Sequence, residues 1–413
     1  MRYLIKNLTI LGEEGKSLQT DLLVEDGRLL KMATSINDES AELVEGEDLL
    51  GLPGFCDLGA QVNDPGYEHR EDIQSLQECA SAGGYTHVAV FPNTNPSIHT
   101  KSEVNYIKKA QDRNLPCSLS VIGAVTKDCK GTDIAEMMEM DQAGALAFSD
   151  GRNPLRIPGV MMRALLYVKS FGGLVINRPE EVDLFLEPQM HEGALSTSLG
   201  MRGQAAIAED LMLHRDISLL RYTDSRLLVY GISCAESVDR IRAAKEEGLD
   251  IKAAVPIWNL VYTDKDLAHF DTNYKMKPML RSEHDRKALI EGIKDGTIDI
   301  IVSNHDAFDH EDKKLEFPFA RFGAIGLQTL FPVYETFLKE ELPLADFIRV
   351  TSEGPRQALD LPAISLEEGE KINLAIFDRK AKWTLNEETN LSKCDNSPVY
   401  QKELNGKQIL TIN

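Results

Sequence analysis

Residues 52–66 read Leu52-Pro53-Gly54-Phe55-Cys56-Asp57-Leu58-Gly59-Ala60-Gln61-Val62-Asn63-Asp64-Pro65-Gly66. A short apolar strand, Gly54 to Leu58, runs straight into a polar loop that Pro65-Gly66 closes. In a barrel of alternating strands and helices such a junction carries the first side chains of the active face, because chemistry gathers at the C-terminal strand ends. Here that place holds Gly59, Gln61 and Asn63. Glycine offers a metal no lone pair, and the Gln61 amide is at best a weak neutral oxygen donor.

Outward from this stretch, strand and helix signals alternate, the pattern of a parallel sheet. Strands are predicted at 53–58, 86–92, 118–125, 144–149, 173–177, 226–233, 251–257 and 298–303. Between the last two, Ser282-Glu283-His284-Asp285 opens a run whose apolar residues recur at helical spacing as far as Ile293. Eight strands with intervening helices over roughly 300 residues predict a (β/α)8 TIM barrel. The connection at 178–225 is too long for one helix and is turn-rich from Met190 to Gly203. Both chain ends are strand-like. The first carries a hairpin signal at Glu25-Asp26-Gly27-Arg28, and the second has apolar runs at 372–378 and 408–412. Residues 1–50 and 361–413 are therefore expected to form one small flanking β-sandwich domain, beside a barrel domain of residues 51–360.

Composition narrows the partners. The chain has 413 residues, 42% hydrophobic and 27% charged, with a formal net charge of -21. A polyanion is repelled by nucleic acid and by anionic membrane, so neither is expected as a partner. No apolar run approaches the ~20 residues that span a bilayer, and Met1-Arg2-Tyr3-Leu4 opens a strand-like segment rather than a signal peptide. A cytoplasmic protein is expected. Six cysteines without C-x-x-C spacing argue against a thiolate zinc site and a disulfide framework. Nine histidines contain no H-x-H pair.

The run from Asp57 to Gly66 resembles the start of the barrel in dihydroorotases, cyclic amidohydrolases of pyrimidine biosynthesis. That family carries D-x-H-x-H-x-R-x-P-G there, with two zinc-binding histidines and an arginine that holds the substrate carboxylate. Asp57, Pro65 and Gly66 match the frame, while Gly59 and Gln61 fall at the histidines and Asn63 at the arginine. The resemblance continues along the chain. Phe91-Pro92-Asn93-Thr94-Asn95-Pro96 is similar to M-P-N-T-x-P, whose Asn contacts substrate, and Phe148-Ser149-Asp150-Gly151 to F-S-D-D-G with one acid gone. Asn177 stands where A-H-C-E-D has a zinc histidine, and Gly231 where H-V-S-T-x-E-S has another. Val255-Pro256-Ile257-Trp258 replaces a P-H-H pair, and Lys277 takes the place of a substrate-binding Asn. In Ser303-Asn304-His305-Asp306-Ala307-Phe308, Asn304 replaces the catalytic Asp of T-D-H-A-P-H, and Phe308 replaces its second His.

What the resemblance implies is a dihydroorotase frame without its metal chemistry. Asp150 and His305 are the only groups at these positions expected to remain good donors, and a catalytic zinc takes three protein ligands. No cofactor is therefore expected, with zinc as the candidate if the degenerate site still binds metal. The expected role is a non-catalytic structural or regulatory subunit, since the substitutions cluster on one face while segments such as Gly83-Gly84 and 292–299 keep the family pattern. The alternative is an active dihydroorotase or related cyclic amidohydrolase with an altered, metal-free or mononuclear site. Asn63, Asn93, Lys277 and Phe308 are the expected remnants of the substrate pocket, with Trp258 and Phe308 expected to fill part of the mouth. By family analogy the partners implied are a second copy in a dimer and aspartate transcarbamoylase.

Overall fold

The computed structural model describes residues 1–11 and 17–413. The chain opens with β1 (Arg2–Leu11), β2 (Ser17–Glu25), β3 (Arg28–Ala33), β4 (Glu42–Glu45) and β5 (Leu49–Pro53). The hairpin signal is realised between β2 and β3, where Glu25 pairs with Arg28 across Asp26-Gly27. Both turn residues have positive φ, 49° and 73°, the two-residue turn whose twist suits the flanking strands.

The eight barrel strands follow. They are β6 (Phe55–Ala60), β7 (Tyr85–Val90), β8 (Ser118–Gly123), β9 (Ala145–Phe148) and β10 (Val175–Asn177), then, after a two-residue parallel pair β11 (Met190–His191) and β12 (Gly203–Gln204), β13 (Leu227–Tyr230), β14 (Ile251–Pro256) and β15 (Ile300–Val302). Each overlaps the stretch predicted for it. They pair in parallel in chain order from β6 to β15. Beyond the last ladder, Gln61 N–H donates to the His305 carbonyl at 3.0 Å, and the Asp57 carboxylate accepts the Ser303 N–H at 2.8 Å. These two contacts join the first strand to the last. Around the strands lie α1 (Ile73–Ala82), α2 (Lys101–Ala110), α3 (Met137–Ala143), α4 (Pro158–Lys169), α5 (Ala194–Leu199), α6 (Ile207–Thr223), α7 (Ala235–Glu246), α8 (Ile257–Val261) and α9 (Glu283–Lys294). The Ser282 start of α9 is a capping box with Asp285, which satisfies two otherwise unpaired backbone donors.

Period-two alternation decides what each strand buries. Leu58, Ala89, Ile122, Ala147, Ile176, Leu228, Ala254 and Ile300 form one cluster inside the barrel. Val88, Val121, Phe148, Val175, Val229, Val255 and Ile301 belong to the larger cluster shared with the helices. The β module of the two ends is a single seven-stranded sheet, in which β16 (Leu374–Thr384) and β17 (Glu403–Ile412) add to the N-terminal strands in the order β17-β16-β5-β1-β2-β3, with β4 on β1. Its own core joins Ile5, Leu8, Leu22 and Val24 from one chain end to Leu374, Ile376 and Ile412 from the other. All six cysteines are free and buried. Among the described residues no helix is long and apolar enough to cross a membrane.

Candidate functional site

A cavity of about 590 Å³ opens at the C-terminal ends of the barrel strands. Gly59 near the end of β6, Gln61 just after it, Phe91 after β7, Arg152 after β9, Arg178 after β10, Tyr230 at the end of β13 and Asn304 after β15 line its base. Residues 315–323 overhang one side, with Phe319 72% exposed at the rim.

The base is aromatic where the resemblance places metal ligands. Phe91 and Tyr230 meet edge to face, 4.9 Å between ring centroids, and the pair sits over Gly59. A β-carbon on Gly59 would lie 2.5 Å from Phe91 Cε2 and 2.8 Å from Tyr230 Cε2, and its φ is +91°. Only glycine tolerates both conditions. Gly231 also has positive φ, +76°, and the nearest group to a β-carbon there is Pro278. Phe308 lines the cavity, and the guanidinium groups of Arg70 and Arg152 both stand over its ring, at 5.1 and 5.3 Å. Trp258, by contrast, does not fill the mouth. It lies in α8, stacks on Tyr262 and belongs to the core between strands and helices. The strand end turns outward into α8, which carries the indole away from the barrel axis.

The polar residues expected at the mouth are largely engaged in structure. Asn93 donates to the Asp150 carbonyl at 3.0 Å and accepts the Arg152 N–H at 2.8 Å, clamping the loop after β9. Asn177 accepts the Leu155 N–H at 3.0 Å and donates to Asp216 at 2.6 Å. Asn304, which lines the cavity, donates to the Lys277 carbonyl and accepts the Tyr230 hydroxyl at 3.4 Å. Asn63 is buried and is not among the residues lining the cavity, and its side-chain amide has no partner among the described residues.

The two residues expected to remain metal donors are also occupied. Asp150 accepts the Thr126 N–H at 2.9 Å with one oxygen and the Thr126 hydroxyl with the other. Burial pushes its carboxyl up to about 6 against these bonds. His305 is fully buried, its Nε2 is 3.2 Å from Glu71, and its Nδ1 accepts from the Gly326 and Leu327 amides. That pattern fixes the proton on Nε2 and leaves no free lone pair. Among the described residues no three His, Cys, Asp or Glu side chains converge in a way that would hold a metal ion. The donor set at the mouth does not fit a dinuclear zinc centre.

What the mouth does hold is cationic. Lys277 and Arg178 both pair with the buried Glu180, Arg178 at 3.4 Å. Burial opposes the charge on Glu180, but the two cations outweigh it and hold the carboxyl down at about 2. Lys277 itself is pushed down by burial, only partly offset by Glu180. Arg152 forms a two-point pair with Asp306. Lys275 is buried and donates to Gln189 and to the carbonyls of Phe317 and Pro318, and burial lowers it to about 8. Sequence reasoning missed Arg152, Glu180 and Lys275. Their only signal was charge next to a strand end or an apolar loop.

Comparison with known proteins places this geometry. Residues 49–237 match the profile of the family described as Dihydro-orotase-like. Over its whole length the chain is 35% identical to the dihydroorotase of Syntrophotalea carbinolica, covering 97% of that protein. It is 36% identical to the dihydroorotase of a Thermoanaerobacter species, covering all of this chain and 96% of that one. Among solved structures, L-hydantoinase (dihydropyrimidinase) from Arthrobacter aurescens superposes with a TM-score of 0.85 at 22% identity, over 99% of this chain and 94% of that one. Dihydropyrimidinase from Brevibacillus agri gives 0.84 at 19% identity, over 100% and 94%. At such identity these two speak for the fold. The chain belongs to the dihydroorotase-like family and has the cyclic amidohydrolase fold.

Proposed function

We propose that this chain is a dihydroorotase-family barrel that has given up the dinuclear zinc reaction and acts as a non-catalytic structural or regulatory subunit. The observation that carries this reading is the Phe91–Tyr230 pair seated over Gly59. Rings now occupy the space a ligand side chain on the first strand would need. Asn304, in place of the catalytic Asp, cannot accept a proton near neutral pH. The partners that fit by family analogy are a second copy, in a dimer, and aspartate transcarbamoylase.

A second reading has its own support: an active dihydroorotase or related cyclic amidohydrolase with an altered, metal-free or mononuclear site. Whole-length identity of 35–36% to proteins named dihydroorotase favours it, as does an open cavity large enough for a small substrate. By likeness alone this reading is the stronger of the two, and the donor set is what weighs against it.

One set of measurements separates them. Protein purified without chelators is taken for elemental analysis, assayed for hydrolysis of dihydroorotate and closure of carbamoyl aspartate, and melted with and without EDTA. The first reading expects substoichiometric zinc, no turnover and an unchanged Tm, because a ligand bound only to the native state would raise Tm and its removal would lower it. Turnover, with or without stoichiometric metal, would establish the second. Mixing with aspartate transcarbamoylase on a sizing column with light scattering tests the partner and the dimer.

A further inference from the structure

We propose that a second cavity, at the end of the barrel opposite the mouth, binds a medium-chain aliphatic monocarboxylate, its carboxylate on Arg356 and its chain between the flanking sheet and residues 361–366. The site stands whichever way the mouth is read, because it uses none of the residues that line the mouth.

The first observation is the cavity itself, of about 320 Å³. It lies where β1, β5 and the start of β16 face the helical turn Gly354–Ala358 and the strap of residues 361–366. That turn is anchored to the N-terminal ends of the barrel strands. Ser352, just before it, donates to the carbonyl of Gly54, which precedes β6, and Arg356 donates to the Thr86 hydroxyl near the start of β7. Leu11, Leu52, Leu361, Ile364, Leu366 and Leu374 supply an apolar wall. The strap has neither helical nor strand pairing of its own. Leu361 packs on the cluster inside the barrel and Leu366 on the core of the sheet, so the strap joins the two bodies beside the cavity. A mostly apolar wall with a few polar groups is the ordinary make-up of a small-molecule site.

The second observation is a buried cation without a counter-charge. Arg356 lines this cavity and is only 8% exposed. Its partners are all uncharged: the Thr86 hydroxyl at 3.0 Å, the Asn373 amide oxygen at 3.2 Å and the Pro362 carbonyl at 3.4 Å. Its Nε is buried with no partner. Burial pushes the guanidinium down from its ordinary value. Glu353 is the one carboxylate among the described lining residues, and it is turned to solvent rather than paired with Arg356. A charge taken out of water and met only by neutral oxygens is costly to hold. A carboxylate offers it charge-assisted bonds, which are roughly twice as strong as neutral ones. The Nη1 group, whose bond to Pro362 is the longest of the three, is the donor that such a carboxylate would take. One uncompensated positive charge selects a monoanion, and walls of leucine and isoleucine select an aliphatic chain.

The test uses the full chain, titrated calorimetrically with hexanoate, octanoate and octanol below their aggregation limits. Saturable octanoate binding is expected, tightening roughly fourfold for each methylene added between hexanoate and octanoate. Octanol, with the chain but no charge, should bind at least tenfold more weakly than octanoate. Arg356→Met should weaken octanoate at least tenfold and leave octanol near its wild-type affinity. Ile364→Asp, on the half-buried part of the strap, should weaken both. Lys277→Met, at the mouth, should leave octanoate unchanged, which separates the two cavities. Melting of each unliganded variant establishes that it is folded, and where Arg356→Met does not fold, the octanoate–octanol difference and Ile364→Asp carry the comparison. The proposal is overturned by any of three results. These are no saturable octanoate binding, equal affinity for octanoate and octanol, or octanoate affinity kept in folded Arg356→Met or Ile364→Asp protein.

Discussion

The ring of Phe91 stands where a side chain on Gly59 would have to pass, 2.5 Å from the position of its β-carbon. Histidines placed on the first strand are therefore not expected by themselves to create a metal site. Gly59→His/Gln61→His should bind no stoichiometric zinc and should lose about 2–4 kcal/mol of stability, from overpacking against Phe91 and Tyr230 and from a positive φ that glycine alone tolerates. Chemical denaturation and elemental analysis check both parts. Zinc uptake without loss of stability would show that the rings yield easily.

The Glu180 carboxylate serves two cations at once, so its removal exposes both. Glu180→Gln should cost about 3 kcal/mol, because Lys277 and Arg178 are then buried without a counter-charge. Adding Lys277→Met should return part of that loss, a coupling that a double-mutant cycle reads directly. The acid side follows from the same pair. A carboxyl held at about 2, below its ordinary 4.5, contributes stability that is present above 4.5 and is lost as pH falls toward 2. Wild type should weaken more steeply than Glu180→Gln across that window in denaturation at stepped pH.

Asp57 gives the opposite slope. It is fully buried at the seam between β6 and β15, and burial raises its carboxyl to about 6 despite the hydrogen bonds from Ser303. In the unfolded chain it ionises first, so between its ordinary 3.8 and 6 the folded state holds the extra proton and stability falls as pH rises. A displacement of that size corresponds to about 3 kcal/mol. His87, lowered by burial to about 4, acts in the other sense over an overlapping range, so the clean measurement is a difference. Relative to Asp57→Asn, wild type should gain about 2 kcal/mol of that on going from about pH 7 to about pH 4.5. A constant difference would show that Asp57 carries no such burden.

Much of the fold was legible because it rests on patterns local to the chain. The eight strands announce themselves by apolar runs of strand length. The Ser282 cap and the Asp26-Gly27 turn are chemistry confined to a few residues. The mouth was legible only as a list of residue types. Gly59 reads as a missing ligand, but nothing in the sequence says that Phe91 and Tyr230 come from two other strands to cover it. Trp258 shows the same limit from the other side. Its place after a strand suggested a residue facing the barrel axis, yet the chain turns into α8 one residue earlier and the indole enters the outer core. Glu180 and Lys277 are nearly a hundred positions apart, and their pairing exists only once the loops after β10 and before α9 are folded together.

The overhang at 315–323 is held by two buried ammonium groups. Lys275 donates to the carbonyls of Phe317 and Pro318, and Lys313 to those of Arg321 and Gly323, at 2.9 and 3.0 Å. Each lysine satisfies backbone oxygens that would otherwise be buried without a donor, and these bonds hold the segment together with the packing of Phe317 on Met190 and Leu267. Lys275→Met keeps the length and apolar stem of the side chain but removes every donor. Amide hydrogen exchange should then accelerate at least tenfold through residues 315–323 while the barrel strands keep their protection, since local opening depends on the bonds specific to that segment. Uniform acceleration across the barrel would mean instead that the lysine supports the whole fold. Unchanged exchange would mean that the rings of Phe317 and Phe322 hold the overhang without it.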